Sequence, residues 1–291
     1  MIDLSGLGVA MVTPFTADGN IDFTGLKNLT EHLIEGGVDV LVVQGTTGES
    51  PALTSDEKRK VLDYVLDVNQ GRTKVAFGIG GNSTSMVVDQ MKSFNADGVS
   101  AILSVSPYYN KPTQAGIVAH YQAIAEAAPA PIILYNVPGR TGSNMLADTT
   151  LALAEHENIA AMKEASGDLS QIEEIIEYKP SNFQVISGDD GLTLPMIALG
   201  AEGLISVVGN AYPAEFGKMV HTAMKGDLDI AKPIHFQFKR MIELLFVEGN
   251  PGGVKEVLKH LNICDHHMRL PLLPVSEKTK AALIAEANNI A

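Results

Sequence analysis

The sequence has too few cysteines for a disulfide-bonded protein, because its 291 residues contain only one, Cys264. A single cysteine cannot close an intrachain disulfide, and neither a second cysteine nor a metal-ligand pattern lies near it. Isolated buried thiols are ordinarily inert packing residues. We therefore expect Cys264 to be a packing residue in a protein of a reducing compartment, the cytosol.

Basic residues are also scarce, since 21 Lys and Arg stand against 34 Asp and Glu, a formal net charge of −13. Such a field repels polyanions, so neither nucleic acid nor an anionic membrane is an expected partner. No apolar run approaches the roughly 20 residues that span a bilayer. The segment MIDLSGLGVAMVTPF lacks the charged and apolar regions of a signal peptide.

What the sequence does contain is a series of short, apolar, β-branched runs separated by stretches of helix length. The eight runs cover residues 8–14, 38–47, 74–81, 98–109, 131–138, 158–166, 183–190 and 203–210. Capping residues precede two of the amphipathic stretches, at Thr54 and Ser83. Strand–helix alternation is typical of a parallel sheet, either an open doubly wound sheet or a closed barrel. Eight units favour an α/β fold of the (β/α)₈ TIM-barrel type.

Strand patterns stop after Tyr212, and four helical segments are predicted at 213–225, 227–248, 252–262 and 276–290. Breaks are expected at Pro233, at residues 250–253 and around Pro271 and Pro274. We predict a barrel over residues 1–225 and a C-terminal helical extension over 226–291. No composition shift or flexible linker separates the two parts, so the extension is expected to be structural and packed beside the barrel.

The chemistry of such barrels takes place at the C-terminal ends of the strands, and the sixth run places a lysine there. Lys163 lies in the segment NIAAMKEAS among small and apolar residues. Burial disfavours the ammonium form and makes a lysine a nucleophilic amine near neutral pH. The alternative is a structural lysine that reaches solvent from a strand edge or pairs with Glu164 or Asp168.

Neighbouring strand ends supply the other groups that imine chemistry requires. Tyr135 can carry a proton through its phenol, and Thr46 can relay it. Thr46 and Thr47, in a turn between glycines, offer hydroxyl and backbone N–H groups to a carboxylate. The conjunction predicts that Lys163 forms a Schiff base with a small α-keto acid such as pyruvate.

Other patterns carry less chemistry. The glycines of residues 78–81 lack the dinucleotide-binding spacing and a phosphate-binding lysine. The pair His266 and His267 has no carboxylate or cysteine at ligand spacing, so a solvated loop is expected there. We predict neither a metal nor a cofactor.

The strand-end motifs closely resemble those of the dihydrodipicolinate synthase family, within the pyruvate-dependent class I aldolases. They are GTTGES at 45–50, SPYYNKP at 106–112, YNVPGRTG at 135–142, the Lys163 strand, ISGDD at 186–190 and GLISV at 203–207. The resemblance spans essentially the whole chain. It implies condensation of pyruvate with L-aspartate 4-semialdehyde, the first committed step of the diaminopimelate and lysine pathway.

The resemblance also implies roles for individual residues. Lys163 would form the pyruvate Schiff base, and Tyr135 would carry protons while hydrogen-bonded to Thr46 and to Tyr109 of a neighbouring subunit. The substrate-binding residues would be Thr47 for the pyruvate carboxylate, Arg140 for the second substrate's carboxylate, and Gly188 and Ile205 for main-chain and pocket contacts. The implied assembly is a homotetramer, a dimer of dimers.

Two alternatives remain open at the level of sequence. N-acetylneuraminate lyase and the keto-deoxy sugar acid aldolases share the lysine and the tyrosine. Arg140 favours a substrate carboxylate over a sugar chain, because a guanidinium binds a carboxylate through two parallel hydrogen bonds, and the pair Tyr108 and Tyr109 favours the same choice. A non-catalytic sensor of keto acids would be expected to lack Lys163, Tyr135 or Thr46.

Lysine-inhibited members of the family carry a His and a Glu at positions that correspond here to Lys58 and Met86. Other residues of that effector site are retained, namely Ser50, Asn82 and Tyr108. A cationic Lys58 would repel the ammonium of lysine, and Met86 offers no carboxylate. We therefore predict weak or absent inhibition by lysine.

Overall fold

The computed structural model describes residues 2–290, and its centre is a closed barrel of eight parallel strands in sequential order. The strands are β1 (Gly6–Ala10), β2 (Val40–Val43), β3 (Lys74–Gly78), β4 (Ala101–Val105), β5 (Ile132–Asn136), β6 (Ile159–Glu164), β7 (Gln184–Ser187) and β8 (Gly203–Ser206). β1 pairs with both β2 and β8 and so closes the sheet. The predicted TIM barrel is confirmed, and the open doubly wound sheet is excluded.

Alternation along each strand divides the apolar side chains between two cores. In β2, Val40 and Val42 face the barrel interior, whereas Leu41 and Val43 face the surrounding helices. Because successive side chains of a strand point to opposite faces, both faces of a parallel sheet must be apolar. This requirement explains why the eight runs are nearly continuous in apolar residues.

The helices connect successive strands along the chain and cover the outside of the barrel. Up to the eighth strand they are α1 (Phe23–Glu35), α2 (Ser55–Asn69), α3 (Thr84–Ser93), α4 (Gln114–Ala127), α5 (Pro138–Thr141), α6 (Ala147–Ala154), α7 (Leu169–Tyr178) and α8 (Thr193–Leu199). The predicted start at Thr54 is confirmed by a capping box, in which Thr54 and Glu57 bind each other's backbone N–H groups. Ser83 precedes α3 as predicted, but its side chain makes no capping hydrogen bond.

Four further helices follow β8. They are α9 (Pro213–Met224), α10 (Leu228–Phe246), α11 (Gly252–His260) and α12 (Glu277–Ile290). The predicted break at Pro233 is wrong, because α10 continues through it. Proline inside a helix costs about 3 kcal/mol. Buried side chains of α10, such as Phe238 and Met241, pack in the outer core and offset that cost.

The boundary between residues 225 and 226 stays a prediction. Residues 1 and 291, at the ends of the two predicted units, lie outside the described residues.

The predicted role of Cys264 is confirmed, because the thiol is buried and its burial raises its pKa to about 12. Within residues 2–290, no helix is both long enough and apolar enough to cross a membrane.

Candidate active site

A cavity of about 350 Å³ opens at the C-terminal ends of strands β2 to β5. Three of the residues predicted for catalysis and substrate binding, Thr46, Tyr135 and Arg140, line it together. The floor is apolar and includes Leu103 and Val105 of β4. The barrel therefore collects groups from separate strands into one pocket, which is how this fold usually builds a site.

Lys163 lies beside Tyr135 in the barrel interior. The two residues are partners in the register of β5 and β6, so their side chains project to the same face. Lys163 Nζ stands 4.4 Å from the centroid of the Tyr135 ring, and each residue is only 6% exposed. Lys163 therefore does not reach bulk solvent, in contrast to the first alternative.

No carboxylate within residues 2–290 forms an ion pair with Lys163. Its neighbour Glu164 points to the other face of β6, where it accepts hydrogen bonds from Asn136 Nδ2 at 3.0 Å and from the Ser166 N–H at 2.5 Å. Burial raises the pKa of Glu164. The structural alternative of a Lys163–Glu164 pair is thereby removed.

Gly188, just after β7, leaves the space that the Lys163 side chain occupies. A Cβ on Gly188 would lie 2.9 Å from Lys163 Cε and 2.9 Å from Ala165 Cβ. Real Cβ atoms essentially never approach carbon so closely. Gly188 therefore shapes the position of the amine, whereas Ile205 of β8 is a buried member of the interior core.

Thr46 and Thr47 begin a short 3₁₀ turn, Thr46–Gly48, directly after β2. Thr46 lines the cavity but makes no hydrogen bond with Tyr135 in the part of the chain that is described. Thr47 is buried, and its hydroxyl oxygen accepts a hydrogen bond from Asn250 Nδ2 at 2.9 Å. The Thr47 side chain thus faces the C-terminal helices, and its hydroxyl proton is not used in this hydrogen bond.

The same turn is fixed at its other end by Glu49. Its carboxylate forms an ion pair with Lys255 of α11, and both side chains are fully buried. The second Glu49 oxygen accepts the backbone N–H of Arg269 at 3.1 Å. Sequence reasoning missed Asn250, Lys255 and Glu49 as parts of the site, because about 200 residues separate the two sides of each contact.

Arg140 lies in α5 between two cavities. Besides the main cavity, it lines a second one of about 250 Å³ that includes Asn250 and Arg269. Its guanidinium is exposed and makes no ion pair within residues 2–290. An unpaired guanidinium at a cavity mouth is suited to a carboxylate ligand.

Tyr109 does not line the cavity of its own chain. Its side chain is 86% exposed, and its backbone is in the left-handed region with φ 71°. A bulky residue rarely adopts this conformation without a specific constraint. Its N–H donates to the carbonyl oxygen of Thr141 at 3.2 Å, which ties the tyrosine loop to the helix of Arg140.

Four of the five residues of the predicted effector site lie around the same opening. Ser50, Lys58 and Tyr108 line the main cavity, Asn82 Nδ2 donates to the carbonyl oxygen of Tyr108 at 3.1 Å, and Met86 is 63% exposed. Lys58 is half-buried, and its burial lowers its pKa. Within residues 2–290, no carboxylate pairs with Lys58.

The prediction that no carboxylate lies at ligand spacing from His266 and His267 is wrong. Asp265 directly precedes them in the sequence, and its Oδ2 atom lies 3.3 Å from His267 Nε2. Two of the three groups already have another partner, however. His266 Nδ1 is bound to Glu256 at 2.6 Å, and Asp265 is bound to Lys259 at 3.0 Å.

Comparisons with known proteins agree with this fold. A model of the dihydrodipicolinate synthetase family matches residues 3–290. A 4-hydroxy-tetrahydrodipicolinate synthase of Parabacteroides distasonis is 51% identical over 94% of this chain and 92% of its own. The chloride-inhibited dihydrodipicolinate synthase of Acinetobacter baumannii, solved with pyruvate, is 38% identical with a TM-score of 0.96, covering 99% of each chain. A dihydrodipicolinate synthase variant described as monomeric is 37% identical with a TM-score of 0.95, covering 98% of this chain and 96% of its own.

Proposed function

The chain belongs to the dihydrodipicolinate synthetase family, and from this premise we propose that it is a lyase that condenses pyruvate with L-aspartate 4-semialdehyde to give 4-hydroxy-tetrahydrodipicolinate. The observation that carries the proposal is the buried Lys163 amine, free of any carboxylate partner in residues 2–290 and 4.4 Å from the Tyr135 ring centroid. An amine so placed can attack a carbonyl.

The chemistry proceeds through an imine. The Lys163 amine adds to C2 of pyruvate, and the carbinolamine loses water to form the Schiff base. Loss of a proton from the methyl carbon gives an enamine, which attacks the aldehyde carbon of the second substrate and regenerates an imine at Lys163. The amino group of the second substrate then adds to the imine carbon, closes the ring and releases the Lys163 amine. Tyr135 donates and accepts the protons of these steps, with Thr46 as relay. Because Thr46 and Tyr135 share the cavity without a direct hydrogen bond, the relay needs substrate or a small side-chain movement.

The two carboxylates are bound by different groups of the site. The pyruvate carboxylate is bound at the Thr46–Thr47 turn through backbone N–H and hydroxyl groups. Arg140, at the junction of the two cavities, binds the carboxylate of the semialdehyde.

Borohydride reduction in the presence of pyruvate, followed by intact-mass measurement, tests the imine. The protein is expected to gain one reduced pyruvate adduct, and Lys163→Ala is expected to gain none. Lys58→Ala is the matched control, because Lys58 lines the same cavity and should not affect adduct formation. An unmodified wild-type protein would refute the Schiff-base mechanism.

Substrate choice needs its own comparison, since N-acetylneuraminate lyase and keto-deoxy sugar acid aldolases use the same imine chemistry. Initial rates with L-aspartate 4-semialdehyde are expected to exceed those with sugar-derived aldehydes. Faster condensation with the sugars would remove Arg140 from its proposed role.

We also propose that lysine inhibits this enzyme weakly or not at all. The exposed Met86 supplies no carboxylate, and the half-buried Lys58 places a positive charge beside Ser50 and Tyr108. Titration of the condensation rate with lysine is expected to give little inhibition. Half-inhibition at micromolar lysine would contradict this.

The proposed assembly is a homotetramer that acts in the cytosol. The exposed and strained Tyr109 supports an interface next to the site. Because one relative is described as a monomeric variant, the oligomeric state of this chain has to be measured.

A further inference from the structure

The Glu49–Lys255 pair differs from the other ion pairs of residues 2–290. In it alone, both side chains are 0% exposed. Lys255 Nζ also donates to the carbonyl oxygen of His267 at 2.8 Å and stands 4.5 Å from the centroid of the Phe15 ring. Both Glu49 oxygens and the Lys255 ammonium therefore have hydrogen-bond partners in the folded chain.

Glu49 lies between two short turns, and its backbone is strained. The turns are Thr46–Gly48 and Ser50–Ala52, and Glu49 has φ 54°, in the left-handed region. Its N–H donates to the carbonyl oxygen of Thr46 at 3.1 Å. The position of Glu49 is thus coupled directly to that of Thr46, which lines the cavity.

Stability alone does not explain a fully buried ion pair. Removing two charges from water costs several kcal/mol per ion, and well-packed apolar side chains of similar volume often replace such a pair without loss. What a buried pair can provide is a unique arrangement of the segments that it joins. Here it joins the turn after β2 to α11.

We propose that Glu49 and Lys255 are positioning residues for the condensation, which makes the C-terminal helices part of the active-site machinery. The inference rests on the proposed function. Lys255 holds Glu49, Glu49 holds the Thr46–Thr47 turn, and Asn250 holds the Thr47 hydroxyl from the same helical region. Together they set the distance from the turn to Tyr135 and Lys163.

The double substitution Glu49→Gln with Lys255→Met tests this. It removes both charges at nearly constant volume, so the variant is expected to fold. A displaced Thr47 should raise KM for pyruvate, and a displaced Thr46 should lower kcat. Errors in placement of about 1 Å cost on the order of 100-fold in rate, so we expect a loss of about 10- to 100-fold in kcat/KM for pyruvate. Rates are expressed per site that borohydride and pyruvate can label, so that unfolded protein does not count.

The matched control is Lys179→Met with Glu202→Gln, a partly buried pair at 3.1 Å near the N-terminal end of β8. It should alter thermal stability and leave KM for pyruvate unchanged. Should the Glu49/Lys255 double variant fail to fold, Glu49→Gln with Lys255→Gln serves in its place, because it also removes both charges and leaves two neutral amides that can hydrogen-bond to each other.

The outcomes separate the two proposals. Wild-type protein that labels with pyruvate, together with a variant of raised KM and lowered kcat per labelled site, supports positioning. A variant with wild-type KM and kcat per labelled site overturns it, whatever its stability. Failure of the wild type to label refutes the proposed function instead.

Discussion

At the residue scale, Gly188 limits what can stand beside the Lys163 amine. The backbone conformation of Gly188 is one that alanine can adopt, but the Cβ of an alanine would clash with the side chains around it. Ala165 Cβ cannot move away, whereas Lys163 Cε can, and the lysine side chain should therefore give way. In Gly188→Ala we expect imine formation to slow by about tenfold or more and stability to fall by about 1 to 3 kcal/mol.

Stopped-flow measurement of pyruvate binding, followed by borohydride trapping, checks this expectation. Gly139→Ala in α5 is the control, because a Cβ there meets nothing within 4 Å. Equal trapping rates in Gly188→Ala and wild type would show that the glycine does not set the position of the amine.

Arg140 offers a second test at this scale. Its exposed guanidinium lies between the two cavities and has no acidic partner within residues 2–290. Arg140→Met should raise KM for L-aspartate 4-semialdehyde by about 10- to 100-fold, as expected from the loss of a charge-assisted hydrogen bond of about 1.5 to 3 kcal/mol. Pyruvate labelling of Lys163 should be unchanged. If only the KM for pyruvate rises, Arg140 binds pyruvate and not the semialdehyde.

What sequence can predict at this scale depends on how local the cause is. Lys163 and Tyr135 stand out because each ends an apolar strand, and the register of β5 and β6 then brings them together. Asn250 and Lys255 carry no such mark, since helices α10 and α11 must first fold over the barrel before they meet Thr47 and Glu49. The local pattern therefore identifies chemistry but misses the residues that hold it in place.

At the element scale, strands are easier to predict than helix breaks. A strand of a parallel barrel needs two apolar faces, so its four to six consecutive residues are mostly apolar and are visible in the sequence. Whether Pro233 breaks a helix depends instead on the packing of α10 against its neighbours. Propensity is a weak prior wherever tertiary contacts offset its cost.

The ion pair between Arg269 and Glu57 joins the C-terminal segment to the start of α2. Arg269 donates to both Glu57 oxygens, at 2.9 and 2.6 Å, and these hydrogen bonds lower the pKa of Glu57 from 4.5 to about 2. Because the folded-state pKa is the lower one, the pair stabilises the protein above about pH 4.5. This contribution is lost as the pH falls toward 2.

Glu57→Gln should therefore lower the free energy of unfolding at pH 7 by about 1 to 2 kcal/mol, discounted for partial exposure. Its stability should also fall less steeply than that of the wild type below pH 4.5. Urea unfolding at a fixed protein concentration between pH 7 and pH 3 measures both. Glu243→Gln, which removes an exposed pair with Arg240, is the control and should be nearly silent. Parallel pH curves for Glu57→Gln and wild type would contradict the assignment.

At the scale of the whole molecule, the exposed Tyr109 raises the question of whether one chain makes a complete site. In a two-fold dimer, each chain can lend the same residue to the other. If Tyr109 acts across the interface, mixing Tyr109→Ala chains with Lys163→Ala chains produces heterodimers with one intact site. Random mixing leaves about one quarter of all sites intact, so activity should rise well above the mean of the two separate variants.

Tyr135→Ala supplies the decisive control, because Tyr135 and Lys163 lie side by side in one barrel. A mixture of Tyr135→Ala with Lys163→Ala chains leaves every site lacking at least one of the two groups, and no recovery is expected. Recovery is measured as the condensation rate after unfolding and refolding the mixed chains together, with the assembly followed by light scattering. If the Tyr109→Ala mixture recovers no more than the Tyr135→Ala mixture, or if a dilute monomer keeps full specific activity, Tyr109 does not act in its partner's site, and each barrel works alone.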